Sequence, residues 1–376
     1  MGTTSNRFDF VRLVLASLVF LYHAVALSAL VSGSVLERNL AIIAELAIQG
    51  FFIVSGLLVY GSLERSSSIA DYAGKRVRRL YPAYATIILI PACVSLILSF
   101  GQDGALESIL RYLGANLIFL NFLQPTLPGL FEAQRFPEVN GALWTLKIEV
   151  LFYLVLPVFA WGLSQLRGMW WIGIGALTLA AFAWIELVNL TGSPYADQLA
   201  RQLPGQMMFF AAGMALWKLR PRLRPHAPLL MMIGAAALCA ALLVPSLEAL
   251  RVLGLSGLIV GVAFSPGPAL NAARWGDISY GVYIVHFPIV QTLIALGVFG
   301  LTGLWGGVAL SAIFVFAASF ILWWWVEKPA LRQDSHYRQA SEERANDERV
   351  RNDHTGRHTS RDRDPDTQPT RSPQRL

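Results

Sequence analysis

The run LVLASLVFLYHAVALSALVSGSVL at residues 13–36 contains no Asp, Glu, Lys or Arg. A helix needs about 20 apolar residues to cross a hydrocarbon core of about 30 Å, so this stretch can span a bilayer. It is about twice as long as a signal-peptide core and no small-residue cleavage site stands out, so it reads as a retained first helix. The rest of the 376-residue chain continues the pattern, with 55% apolar and only 14% charged residues. Soluble globular chains carry about 25% charged residues. A disordered chain, a collagen-like chain and an ordinary soluble enzyme are thereby excluded, and an all-α polytopic membrane protein is expected.

Apolar segments recur from residue 8 to residue 326, and two intervening loops are strongly basic. One holds Lys75, Arg76, Arg78 and Arg79, the other Lys218, Arg220, Arg222 and Arg224. The positive-inside rule puts both in the cytoplasm. Counting crossings between them leaves 108–124 as a segment that does not cross, in keeping with its short length and its Asn116 and Asn121. About ten transmembrane helices with both termini cytoplasmic result. Residues 101–143 form the longest outer loop, a candidate substrate lid. A membrane domain is expected over 1–331. Residues 332–376, with ten Arg against nine Asp or Glu, read as a disordered cytoplasmic tail, too near neutrality for a nucleic-acid arm. Cys93 and Cys239 lie in apolar runs and read as buried small residues; they are too few for a zinc site, and no metal is expected.

Ionisable groups inside a membrane are costly, so each is a functional candidate. Arg12 and His23 are eleven residues apart on the first helix. Eleven steps of about 100° return to within roughly 20° of the start, which puts both on one face, about 16 Å apart along the axis. Glu149 stands in LWTLKIEVLFY at 143–153, six residues into a helix entering from outside. Its depth of about 9 Å matches that of His23, so the two are expected to pair as orienting acid and general base. The basic loop KRVRRLYP at 75–82 sets Arg76 and Arg79 three apart, a spacing that suits bidentate phosphate contacts. In QGFFIVSG at 49–56 two glycines and Ser55 suit close helix packing better than nucleophilic chemistry. SYGVYIVHFP at 279–288 carries His286 near mid-membrane, and WWWVEKP at 323–329 closes the last span at an interfacial aromatic belt.

These segments, in this order, resemble the acyltransferase family 3 of integral membrane acyltransferases over about residues 7–331. The matching pieces are Arg12 with His23, FFxxSG at 51–56, Arg76 and Arg79 before Tyr81 and Pro82, the run around Trp144 and Glu149, the run from Ser279 to His286, and the closing Glu327-Lys-Pro. The chain departs from the family pattern at Gln49 and Val150, where many members carry acids. The resemblance implies transfer of an acyl group, usually acetyl, from cytoplasmic acyl-CoA (acetyl-CoA) to a hydroxyl of a carbohydrate or lipid-linked glycan, in a bacterial cytoplasmic membrane. It implies catalytic roles for His23 and Arg12, joined here by Glu149, and a donor site at Arg76 and Arg79 with Tyr81. Trp144, Tyr283 and His286 are the expected acceptor contacts. The competing reading is a secondary transporter or lipid flippase with Arg12, His23 and Glu149 as an ion relay.

Overall fold

A computed structural model describes residues 7–332 apart from 269, 271 and 273–275; among them every regular element is a helix. In chain order these are α1 (Phe8–Ser28), α2 (Val35–Glu64), α3 (Ile69–Leu98), α4 (Ala105–Asn116), α5 (Trp144–Gln165), α6 (Trp170–Leu190), α7 (Ala196–Ala200), α8 (Leu203–Leu223), α9 (Ala227–Leu243), α10 (Leu250–Phe264), α11 (Ser279–Ala295), α12 (Val298–Leu322) and α13 (Lys328–Ala330). Seven helical stretches are long and apolar enough to cross a membrane; one of them contains both α8 and α9, and α10 and α11 are shorter but apolar. The chain is therefore an all-α polytopic membrane protein. The expected tail beyond residue 332 lies outside the described residues.

Local chemistry sets the sharp ends of α2 and α3. Ser34 caps α2 by accepting from the Glu37 N–H, while the Glu37 carboxylate accepts from the Gly33 N–H. Ser68 and Asp71 repeat the arrangement at α3, with Ser67 as the second donor. Such reciprocal caps satisfy the first backbone donors of a helix, which have no intrahelical partner.

Long-range contacts fix the direction of each rod. Lys218, near the end of α8, pairs with Glu64 at the end of α2. Arg79 near the start of α3 pairs with Asp277, just before α11, and with Glu327, which follows α12. Arg7 donates to the Ser265 carbonyl just past α10. Glycines at 234, 254 and 257 bring α9 and α10 together as an antiparallel pair. Both basic clusters thus lie at one end of the bundle, here termed the basic end. At the other end, Arg135 reaches the Ala26 carbonyl (2.8 Å) and Glu37 (2.6 Å), and Ser95 donates to the Pro128 carbonyl (2.6 Å). Residues 117–143 are thereby tied over the ends of α1, α2 and α3.

The segment 108–124 does not cross the bundle. α4 ends at Asn116, whose side-chain amide donates to the carbonyls of Tyr112 and Gln124, and Asn121 donates to the Tyr84 hydroxyl at 2.9 Å. The cysteine reading is corrected: Cys93 and Cys239 are free and exposed on outward faces of α3 and α9. A face turned to lipid is as apolar as a core, so apolar neighbours in sequence do not distinguish the two.

The small residues of α2 do pack. A Cβ on Gly56 would overlap the Phe210 carbonyl, and one on Gly213 would stand 2.7 Å from the Leu57 nitrogen. The backbones of α2 and α8 touch there, and neither helix can yield locally. Gly213→Ala is expected to cost about 1–3 kcal/mol or more by overpacking, read as a lower thermal midpoint in detergent. Gly74→Ala, inside α3 with open space around it, should instead raise stability by about 0.5–1 kcal/mol.

Candidate active site

Two neighbouring cavities lie inside the bundle. The first, of about 90 Å³, lies towards the basic end and is lined by Arg12, Ser55, Arg76, Arg79, Glu149 and Tyr153, among others. The second, of about 270 Å³, lies towards the other end and is lined by His23, Glu45, Gln49, Trp144, Arg201 and Gln206 together with apolar residues. Ile48 and Tyr283 line both cavities. The Tyr283 hydroxyl is fixed by Thr145 Oγ1 at 2.6 Å.

As the helical spacing requires, Arg12 and His23 both face this interior, one in each cavity. The expected partnership of His23 with Glu149 is corrected. His23 Nδ1 lies 2.9 Å from Nε2 of the fully buried His286, the two rings facing edge to edge with centroids 5.0 Å apart and planes 25° apart. Glu149 instead accepts from Ser55 Oγ at 3.2 Å and from the Tyr153 hydroxyl. The reason is the height of α5. Asn140 donates to the buried Ile284 carbonyl at 2.8 Å, and a single turn at Gly141–Leu143 leads into the helix. The loop has therefore already entered the bundle before α5 starts. Trp144 stands at the depth of His23, and Glu149 lies about 7.5 Å further towards the basic end.

Hydrogen bonds assign the tautomers of the histidine pair. Val282 carbonyl, 3.1 Å from His286 Nδ1, can only accept. Neutral His286 therefore carries its proton on Nδ1 and presents the Nε2 lone pair to His23. His23 must then donate from Nδ1, which leaves its Nε2 unprotonated. A histidine so held in the second cavity is arranged to take a proton from a ligand there.

The arginines divide their work differently from the expected pair. Arg79 is committed to Asp277 and Glu327, whose side chains are almost wholly buried. Arg12 also pairs with Asp277, at 2.7 Å. Burial alone would raise the Asp277 carboxyl, but Arg12, Arg79 and the Ser279 hydroxyl outweigh it and hold the group down at about 2. Arg76 lines the first cavity with lighter obligations: Nη2 donates to Ser62 Oγ at 3.2 Å, and the buried Nε has no hydrogen-bond partner. Tyr81 is exposed and rests against Tyr84 and Phe119 rather than facing either cavity. Two steps beyond Arg79, it sits about 200° round the helix. Trp144 and Tyr283 do line the second cavity, whereas His286 stands behind His23.

Sequence reasoning passed over Asp277, two residues ahead of the quoted 279–288 run, although an acid just before an apolar helix is a visible signal. It also passed over Gln206, at the start of α8.

Comparison with known proteins gives concordant matches. Residues 5–327 match the family model described as an acyltransferase domain. The chain is 30% identical to Nodulation protein 10 of Rhizobium leguminosarum bv. viciae, across 87% of this chain and 93% of that protein. It is 29% identical to the O-acetyl transferase of Shigella phage Sf6, across 88% and 97% respectively. A shorter match, 22% identical over 46% of this chain and 43% of its counterpart, is to Acyltransferase MdmB of Streptomyces mycarofaciens. No solved structure matches the chain.

Proposed function

The chain belongs to the acyltransferase family that this domain defines, and on that premise we propose that it moves an acetyl group from acyl-CoA at the basic end to a hydroxyl of a carbohydrate or lipid-linked glycan at the opposite end. The observation that carries this reading is a pair of cavities that share Tyr283 and Ile48 in their walls, with His23 of the His23–His286 pair in the wall of the second. The O-acetyl transferase among the relatives supports the same chemistry.

With the basic loops cytoplasmic, all ten of the longer rods cross, residues 7 and 332 both lie inside, and the protein sits in a bacterial cytoplasmic membrane. The donor enters from the cytoplasm, where Arg76 contacts its phosphates, and its thioester reaches up the first cavity. That cavity has space for several waters, enough for a small acyl group. The acceptor hydroxyl occupies the second cavity against His23 Nε2. As its oxygen attacks the thioester carbonyl, its proton passes to Nε2. The carbon–sulfur bond breaks, and the proton passes on to the leaving thiolate, giving an ester and a free thiol. The relay reading fits less well, because Arg12, His23 and Glu149 each engage different partners.

Purified protein should release thiol from acetyl-CoA, and a long-chain acyl-CoA should be turned over far more slowly; equal rates would contradict the size argument. Arg76→Ala should weaken donor binding by about 1.5–3 kcal/mol, the worth of a charged hydrogen bond, with Arg76→Lys recovering part of it. Arg79→Ala should lower the thermal midpoint instead, since it removes the charge between two buried carboxylates. Unchanged donor KM in Arg76→Ala would remove that residue from the donor site.

A further inference from the structure

The second cavity holds two amide oxygens that the fold does not use. Gln49 and Gln206, only 5% and 8% exposed, both line it. In each, the amide Oε1 is buried without a hydrogen-bond partner. The orientation of Gln49 is set from within the protein, because its Nε2 donates to Glu45 Oε1 at 3.2 Å. Glu45 is held in turn by Arg251 at 3.4 Å. Buried carbonyls are rarely left unmatched in native structures, and one that is left so calls for an explanation.

We propose that Gln49 and Gln206 form a saccharide subsite, their Oε1 atoms accepting hydrogen bonds from ring hydroxyls that flank the reacting one. This rests on the acyl-transfer reading above and identifies what its second cavity recognises. The chemistry follows from the donor set. Two carbonyl oxygens beside the Glu45 carboxylate offer acceptors to O–H donors, and Arg201 in the same lining offers donors to a hydroxyl or ring oxygen, a mixed set that suits a neutral polyol. At about 270 Å³ the cavity is near the lower end of the roughly 300–1,000 Å³ typical of small-molecule sites, enough for one sugar ring. Trp144 supplies a flat apolar wall for the ring's C–H face. His23 shares the same cavity, so a ring held by the two amides presents a third hydroxyl to its Nε2.

The test uses the full-length protein in detergent with acetyl-CoA, a panel of methyl hexopyranosides, and the monodeoxy analogues of whichever hexoside reacts fastest. Thiol release and ester formation are followed together. The wild type should prefer the parent sugar over the analogue lacking a flanking hydroxyl by about tenfold per hydrogen bond. Gln206→Leu and Gln49→Leu should each erase the preference at one ring position and keep it at the others. A merely structural role would slow all sugars alike. Gln206→Leu removes an unmatched buried carbonyl, so its thermal midpoint should not fall, which separates lost recognition from lost folding; Gln49→Leu also gives up the bond to Glu45 and is judged by its discrimination among sugars alone. Variants that discriminate as the wild type does would overturn the subsite. Thiol release to water with no hexoside accepted would also overturn it, while leaving acyl transfer standing. No thiol release under any condition would bring down the transfer reading, and the subsite with it.

Discussion

His23→Ala is expected to lower acyl transfer by about 10²–10⁴-fold, the usual worth of a positioned general base, while acetyl-CoA still binds. The separation follows from the geometry. His23 lines the second cavity, whereas Arg76, the proposed donor contact, lines the first. A second substitution tests how the base is held. His286→Leu takes away one of the two acceptors for His23, leaving the Val19 carbonyl one turn back, so the imidazole is held less firmly in the tautomer that keeps Nε2 unprotonated. His286→Gln retains an acceptor oxygen and should keep more activity than the leucine variant. Donor binding can be read by protection of the protein from thermal unfolding, and transfer by ester formation. A folded His23→Ala protein with near-normal turnover would remove the residue from proton transfer. Equal activity in the two His286 variants would remove the orienting role.

Asp277→Asn is expected to be the most damaging single change to stability, at about 3–5 kcal/mol. That is the cost of removing one partner from a buried ion pair and leaving the other uncompensated. Asp277 stands between two guanidiniums, Arg12 on α1 and Arg79 on α3, and its own side chain is 1% exposed. It therefore ties α1 and α3 to the start of α11. The pH dependence has a definite sign. A carboxyl lowered in the folded state contributes stability that is fully present above its ordinary range near 4, and that contribution fades only as pH falls towards about 2. The wild-type midpoint should accordingly show no loss from this group between neutral pH and about pH 5. An Asn variant that unfolds at the wild-type temperature would show that the triad contributes nothing to holding these three helices.

The sequence made the helical order legible because long uncharged runs leave a bilayer-spanning helix few alternatives. It also showed that the Arg12 and His23 side chains share a face, since spacing along a single helix obeys a fixed rotation. The two basic clusters fall at one end of the bundle, where parity and charge had put them. Spacing was silent wherever two elements had to be related. Glu149 was given the depth of His23 on the premise that α5 starts at the membrane edge. The turn at Gly141–Leu143 starts it well inside, next to Ile284 and Tyr283. The partners of Arg79 lie 198 and 248 residues away, and nothing local to KRVRRLYP announces them. Tyr81 shows the converse, a residue close to Arg79 in sequence that rotation alone carries to another face. The histidine pair joins α1 to α11, and only the packed bundle makes His286 a neighbour of His23 rather than a lining residue of its own.

The central claim, that donor and acceptor approach from opposite ends and meet at Tyr283 and His23, is tested most directly in sealed proteoliposomes. A methyl hexoside that the protein accepts is trapped in the lumen, and acetyl-CoA labelled in its acetyl group is supplied only outside. Molecules with the basic end outward should then build up labelled ester inside the vesicle while free thiol appears outside, and vesicles carrying His23→Ala should form none. Labelled ester that forms only when donor and acceptor share one compartment would contradict the account.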